Sequence, residues 1–251
     1  MSNDHDPDQA PELADAHGEY EGEDIMSGVL SIDVVSDVVC PWCFVGKRQL
    51  EQALDMRRAR YPGEPEPLVN WHPFQLNPDM AAQGLPRADY LQAKFGDASG
   101  GSAYDSVRAA AQSVGLSLAL ERIERQPNTV LAHCLIAMTQ AESQNAIVEA
   151  LFEAYFNQGL DLTREDVLID IARACQMPEP VIEAALHDQS VQHAVVQADG
   201  QARQFGVSGV PFFIFNQQLA VSGAAGAQTL LAASEKAMGN AGAPESPNAL
   251  H

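Results

Sequence analysis

The sequence predicts an α/β fold, a central mixed sheet flanked by helices and interrupted by a large all-helical insertion. Three observations carry this. A Val- and Ile-rich strand runs straight into Cys40-Pro41-Trp42-Cys43 at the head of a helix, strand character is absent between about residues 86 and 205, and it returns at Val210-Pro211.

In chain order, Val29 to Ser36 reads as a buried strand, and Asp37-Val38-Val39 then carry the chain to Cys40. From Cys43 to about Arg60 the apolar residues Phe44, Leu50, Ala53, Leu54 and Met56 recur near helical spacing, until Tyr61-Pro62-Gly63 stops the pattern. Pro67 to Phe74 is a second strand, which completes a βαβ unit with the CxxC on its first turn. The segment from Pro86 to Phe205 reads as helices broken at Gly96, Gly115, Gln126-Pro127, Gly159 and Met177-Pro178. Within it Ala132, Leu135, Ile136 and Thr139, and again Val167, Leu168, Ile171 and Cys175, repeat every three or four residues and mark faces that pack inward. Val210 to Phe215 is a strand, Asn216-Gln217-Gln218 a turn, Leu219 to Ser222 an antiparallel return, and Gly226 to Met238 a last helix. The sheet domain therefore comprises residues 28–85 and 206–238, with 86–205 inserted as a helical domain. Residues 1–27 read as a disordered acidic tail and 239–251 as a flexible C-terminal tail.

The formal charge is −20, from 34 acidic against 14 basic side chains, and such a field repels phosphate backbones and anionic lipid headgroups. Nucleic-acid and membrane partners are not expected. Nine of the acidic residues precede Gly28, where no Lys or Arg occurs, and Met26 is an alternative start. No apolar run approaches the roughly 18 residues of a membrane-spanning helix, since even Leu131 to Met138 is interrupted by His133. The N-terminus lacks the basic start and apolar core of a secretory signal, so a soluble, cytoplasmic protein is expected, as monomer or homodimer. Four cysteines are too few for a disulfide scaffold, and only Cys40 and Cys43 are close in sequence, which fits catalytic thiols better than structural ones. No second CxxC or paired histidine cluster supplies ligands for a metal. Cys134 and Cys175, on apolar helical faces, are expected to act as small hydrophobes.

Disulfide exchange needs one sulfur present as thiolate near neutral pH and a second close enough to resolve the mixed disulfide. A CxxC opening a helix supplies both. Unsatisfied N–H groups and the positive end of the helix dipole lie beside Cys40 and favour its thiolate, making it the attacking sulfur. Pro41 costs little in the first turn, because its missing N–H has no helical partner there. Trp42 adds an apolar rim.

The segment Ser36-Asp37-Val-Val-Cys-Pro-Trp-Cys-Phe-Val-Gly46-Lys47 resembles the active-site segment of the FrnE-like branch of the DsbA family. Four further segments resemble that branch in the same order: Trp71 to Pro78, Pro127 to His133, Leu151 to Gly159, and Gly206 to Phe215. Coverage runs from about Val29 to Met238. The resemblance implies a thioredoxin-like fold with a helical insertion, a redox-active Cys40/Cys43 pair, and a cis peptide between Val210 and Pro211 beside it. Pro41, Trp42, Val210 and Pro211 then become the expected substrate-binding residues, with the Val210 backbone offered to an extended strand. Asp37, a further candidate for the cleft, can accept a proton during exchange or fix the loop before Cys40 by a side-chain hydrogen bond, and the loop role is the expected one, since a carboxylate close to that sulfur opposes its thiolate. Phe44, Trp71, His72 and His133 are candidates for lining the cleft.

The expected function is thiol–disulfide exchange with protein or small-molecule thiols, without a cofactor beyond the cysteine pair. Thioredoxin or glutathione is the expected redox partner, with glutathione also a candidate co-substrate. Glutathione-dependent isomerases and kappa-class glutathione transferases look alike in fold but usually carry Ser where this chain has Cys40, so the two cysteines argue against that alternative. A holdase-like or scaffold role, using an apolar cleft and the acidic tail, is the third reading.

Overall fold

The computed structural model describes residues 28–239. Both predicted tails fall outside them, Gly239 apart. Four strands form the main sheet: β1 (Ser31–Ser36), β2 (Leu68–Pro73), β5 (Phe212–Phe215) and β6 (Leu219–Ser222), in the order β2-β1-β5-β6. β1 and β2 run parallel, while β5 is antiparallel to both β1 and β6. The parallel pair is joined by α1 (Pro41–Arg60), the βαβ unit expected from the sequence. The antiparallel return reverses at Asn216 and Gln217, both in left-handed conformation, and α9 (Ala227–Ala237) closes the unit. This is the thioredoxin-like arrangement.

Alternation along the strands divides the sheet into two faces. Ile32, Val34, Trp71, Phe213 and Phe215 are buried in the main core with α1 and α9. The opposite face carries Asp33, Val35, His72 and Ile214 and is covered in part by α8 (Gln189–Gln204).

Between the halves of the sheet lie α2 (Arg87–Phe95), α3 (Gly101–Ser113), α4 (Val130–Met138), α5 (Ala141–Phe156), α6 (Glu165–Ala174), α7 (Glu179–His187) and α8. The insertion is not all helical. Two-residue strands β3 (Leu85–Pro86) and β4 (Arg125–Gln126) pair antiparallel, and strands that short carry no alternation for the sequence to display. A further break separates α4 from α5 at Thr139-Gln140, within a stretch that reads as continuous helix. Arg87 fastens this region from inside: its guanidinium donates to the Tyr104 hydroxyl at 2.6 Å, the Tyr155 hydroxyl at 3.3 Å and the Gln126 side chain.

The insertion grips α1 directly. Phe44 is fully buried and stacks on Phe152 with ring centroids 4.9 Å apart. One turn further on, buried Lys47 pairs with Glu51 and, at 2.7 Å, with Glu149 of α5, which also receives Arg48. Burial alone would raise the Glu149 carboxyl, but the bonds from Arg48 and Lys47 outweigh it and hold the group below the usual carboxylate range. Among the described residues, no helix is long and apolar enough to cross a membrane.

Candidate active site

Cys40 is the N-cap of α1, in extended conformation, with Pro41 at the first helical position. Its N–H donates to the Asp37 carbonyl at 3.0 Å, and its own carbonyl accepts from Cys43 N–H at 3.0 Å. The turn is thus built from backbone, and it leaves Cys40 Sγ facing Val210, whose carbonyl accepts from the thiol at 3.6 Å. The Val210–Pro211 peptide is cis. Residues 170 positions apart in sequence therefore meet at one sulfur. Trp42 is 39% exposed and forms an apolar rim beside it.

Glycine at position 46 is what lets the two segments meet. A Cβ there would lie 2.8 Å from Pro211 Cγ, closer than such carbons approach, and a tight 3.2 Å from Phe213 Cζ. α1 can therefore lie against the Pro211 ring only through a bare backbone.

Cys43 sits deeper, only 1% exposed, in the first turn of α1. Burial pushes its thiol well above the ordinary range, the neighbouring Cys40 adds to this, and the polar Ser36 side chain and Asp37 backbone nearby offset only part. Cys134 is pushed up to about 12 by burial, and half-buried Cys175, at the C-cap of α6, is also raised by burial. All four cysteines are free thiols.

Asp37 is fully buried. Its Oδ2 accepts from Leu76 N–H at 2.8 Å and its Oδ1 from Val39 N–H at 3.5 Å, tying the loop before Cys40 to the segment after β2. His133 of α4, also buried, places Nε2 3.2 Å from the Phe74 carbonyl and 3.4 Å from Asp37 Oδ1.

Of the candidates, the fold gathers Asp37, Cys40, Cys43, His133, Val210 and Pro211 at one place. Phe44 does not line a cleft; it is fully buried, locked in the aromatic stack with Phe152 and Phe156. Trp71 is 5% exposed and belongs to the core. His72, next in the strand, points to the opposite sheet face and bonds Asp33 at 2.9 Å. There it borders a groove of about 580 Å³ with Val35, Ala202, Phe205, Val207 and Ile214. Ser36, Gly46 and Lys47 were not singled out as site residues from sequence. A serine ending a strand, a glycine within a helix and a lysine at helical spacing carry no signal of what they touch.

A curated relative, the uncharacterized protein YwbO of Bacillus subtilis, is 26% identical over 200 residues, covering 78% of this chain and 90% of that protein. Among solved structures, a probable DsbA oxidoreductase from Streptomyces coelicolor is 27% identical, with a TM-score of 0.73 over 88% of this chain and 94% of that one. The cytosolic disulfide reductase DsbM of Pseudomonas aeruginosa, solved with GSH, shares the fold at 14% identity and a TM-score of 0.56, over 83% of this chain and 96% of that one. The model of the DSBA-like thioredoxin domain matches residues 31–234, and with the site geometry above it makes this chain a member of that family.

Proposed function

We propose that this protein is a thiol–disulfide oxidoreductase in which Cys40 attacks and Cys43 resolves, in the FrnE-like branch of its family. The observation that carries the reading is the pairing of a helix-capping Cys40 with the Val210 carbonyl 3.6 Å away, with Cys43 buried in the first turn behind it.

The chemistry follows from that geometry. Cys40 thiolate attacks one sulfur of a substrate disulfide, and the other substrate sulfur leaves as thiolate. Cys43 then attacks Cys40 Sγ, closing the Cys40–Cys43 disulfide and releasing the second substrate thiol. The Val210 N–H makes no hydrogen bond among the described residues, so this residue offers a donor and a carbonyl to an extended substrate segment. Pro211 and Trp42 flank that segment with apolar surface. Protein disulfides and small disulfides both fit such an edge, with glutathione or thioredoxin as electron partner in the cytoplasm. DsbM, described as a cytosolic disulfide reductase and solved with GSH, lends support to a glutathione-linked reaction.

Reduction of insulin disulfides, assayed with glutathione as electron donor, tests the reading. Cys40→Ser should abolish turnover, and Cys43→Ser should accumulate mixed disulfides at Cys40. Turnover that survives Cys40→Ser refutes it, as does glutathione conjugation that persists undiminished in Cys43→Ser, which would favour a transferase instead.

A further inference from the structure

Beyond Pro73 the chain leaves the sheet, yet its backbone still has to be paired, because a buried N–H or C=O without a partner is costly. Phe74 N–H makes the last ladder bond, to the Ser36 carbonyl at 3.0 Å. The next four backbone groups all go to side chains. The Phe74 carbonyl faces His133 Nε2 at 3.2 Å, Gln75 N–H donates to Asp199 Oδ1 at 2.8 Å, the Gln75 carbonyl accepts from Arg203 Nη2, and Leu76 N–H donates to Asp37 Oδ2 at 2.8 Å.

Asp199 and Arg203 stand one turn apart on α8 and act as a unit. The guanidinium donates through Nε to Asp199 Oδ2 at 3.0 Å and through Nη2 to Oδ1 at 3.1 Å, and its carbon lies 4.1 Å from the centre of the Phe74 ring. Asp199 is buried, and a carboxylate is kept in such a place only where it is paired. Together the two side chains offer Gln75 one acceptor and one donor, as a neighbouring strand would.

The same helix end launches the loop that reaches Cys40. Gly206 N–H and Val207 N–H close α8 onto the Arg203 and Ala202 carbonyls, each at 3.0 Å. Val207 then packs with Phe74 and Val35, and Val210 and Leu76 pack against that cluster. Cys40 is placed separately, by the backbone turn at the head of α1.

We infer that Asp199 and Arg203 are positioning residues for the substrate edge: by gripping Gln75 they seat the end of α8 on Phe74 and so fix the Val210 backbone where an extended substrate strand meets it beside Cys40. The inference rests on the dithiol reading above. Neither residue touches a reacting sulfur. Loss of the clamp frees the end of α8 to shift over Phe74 and carries Val210 with it, while the helix-capping Cys40 keeps its place and its reactivity. Both residues belong to the insertion, so the helical domain governs which disulfides the redox centre accepts. Extended peptides, which pair with Val210, depend on the clamp, and small disulfides do not.

The test uses the full-length reduced protein and two reagents that release the same coloured thiolate: DTNB, and a short cysteine peptide carried as its mixed disulfide with thionitrobenzoate. In each, Cys40 thiolate bonds to one sulfur, the disulfide breaks, and its electron pair leaves with thionitrobenzoate, so stopped flow reads both reactions alike. Asp199→Ala should lower the peptide rate about tenfold and leave the DTNB rate within about twofold, because only the peptide needs the positioned edge. Asp199→Asn keeps an acceptor for Gln75 N–H and should recover part of the loss. Arg203→Lys, at a partly exposed position, keeps the charge but removes the fork that reaches Asp199 and Gln75 together, and it should show the same selective loss even if Asp199→Ala does not fold. Peptide rates that stay native in Arg203→Lys and in folded Asp199→Ala, or peptide and DTNB rates that fall in parallel, overturn the inference. A native protein whose Cys40 releases no thionitrobenzoate from DTNB would instead remove the dithiol reading.

Discussion

Replacing Gly46 by alanine sets two calculable effects against each other. On propensity alone the change should stabilise an interior helical position by about 1 kcal/mol. The added methyl, however, would lie 2.8 Å from Pro211 Cγ and 3.3 Å from Pro211 Cβ. Neither atom can swing aside, because both belong to a ring fixed to the backbone, and Phe213 behind it is fully buried. Overpacking of this kind costs about 1–3 kcal/mol, so the net result is a loss of up to about 2 kcal/mol, or at most roughly 4–8 °C in melting temperature for a chain of this size. The same displacement moves the Pro211 loop away from α1 and lengthens the contact between Cys40 Sγ and the Val210 carbonyl. Gly46→Ala should therefore melt earlier and react more slowly with a disulfide peptide while reacting normally with a small disulfide, which needs no backbone strand. Calorimetry and stopped-flow exchange measure the two effects. A variant that is about 1 kcal/mol more stable than the native protein, with peptide exchange unchanged, would refute the close approach.

The other expectations follow from single contacts. Asp37→Ala leaves the Leu76 N–H without its acceptor and should cost about 1–3 kcal/mol in urea unfolding; a loss below a few tenths would show that the carboxylate does not anchor the loop. Phe44→Ala opens a cavity between α1 and α5 and should cost about 3–5 kcal/mol, and a smaller loss than Phe44→Leu gives would contradict the stack. Glu149 lies below its ordinary range when folded, so its contribution is complete above the unfolded carboxylate value, near 4.3, and fades as pH falls through the lower folded value. Glu149→Gln should accordingly flatten the dependence of melting temperature on pH between about 5 and 3; an unchanged profile would remove the Lys47–Glu149 link from the account. A short iodoacetamide pulse on the reduced protein should label Cys40 first, since burial raises Cys43, Cys134 and Cys175 alike. Mass mapping that finds Cys134 labelled first would overturn the nucleophile assignment.

Much of the fold is legible because the Val and Ile run of β1 and the Phe-rich β5 are buried strands that hydrophobicity alone marks. Cys40-Pro41-Trp42-Cys43 shows the helix start through proline chemistry. The cis peptide at Val210 was expected from the family resemblance and not from residue pattern, since a proline at a strand start is ordinarily trans. The partners of buried polar residues are hidden for a different reason. Lys47 and His133 are polar residues buried by partners distant in sequence, Glu149 and Asp37, and local patterns do not report such pairing. His72 shows the converse error: one step along a strand reverses the face, so it stands apart from Trp71 on the other side of the sheet. The ribbon of β3 and β4 was too short to be seen at all.

The central claim is that Cys40 and Cys43 form a reversible two-electron couple. Equilibrating the full-length protein across a series of reduced and oxidised glutathione ratios, quenching with acid and alkylating, then mapping by mass spectrometry, tests it directly. The account predicts a single transition of two-electron form, in which Cys40 and Cys43 lose two hydrogens together and become linked while Cys134 and Cys175 stay alkylated throughout. A transition that links any other pair, or that leaves Cys40 and Cys43 as thiols under oxidising conditions, would contradict it.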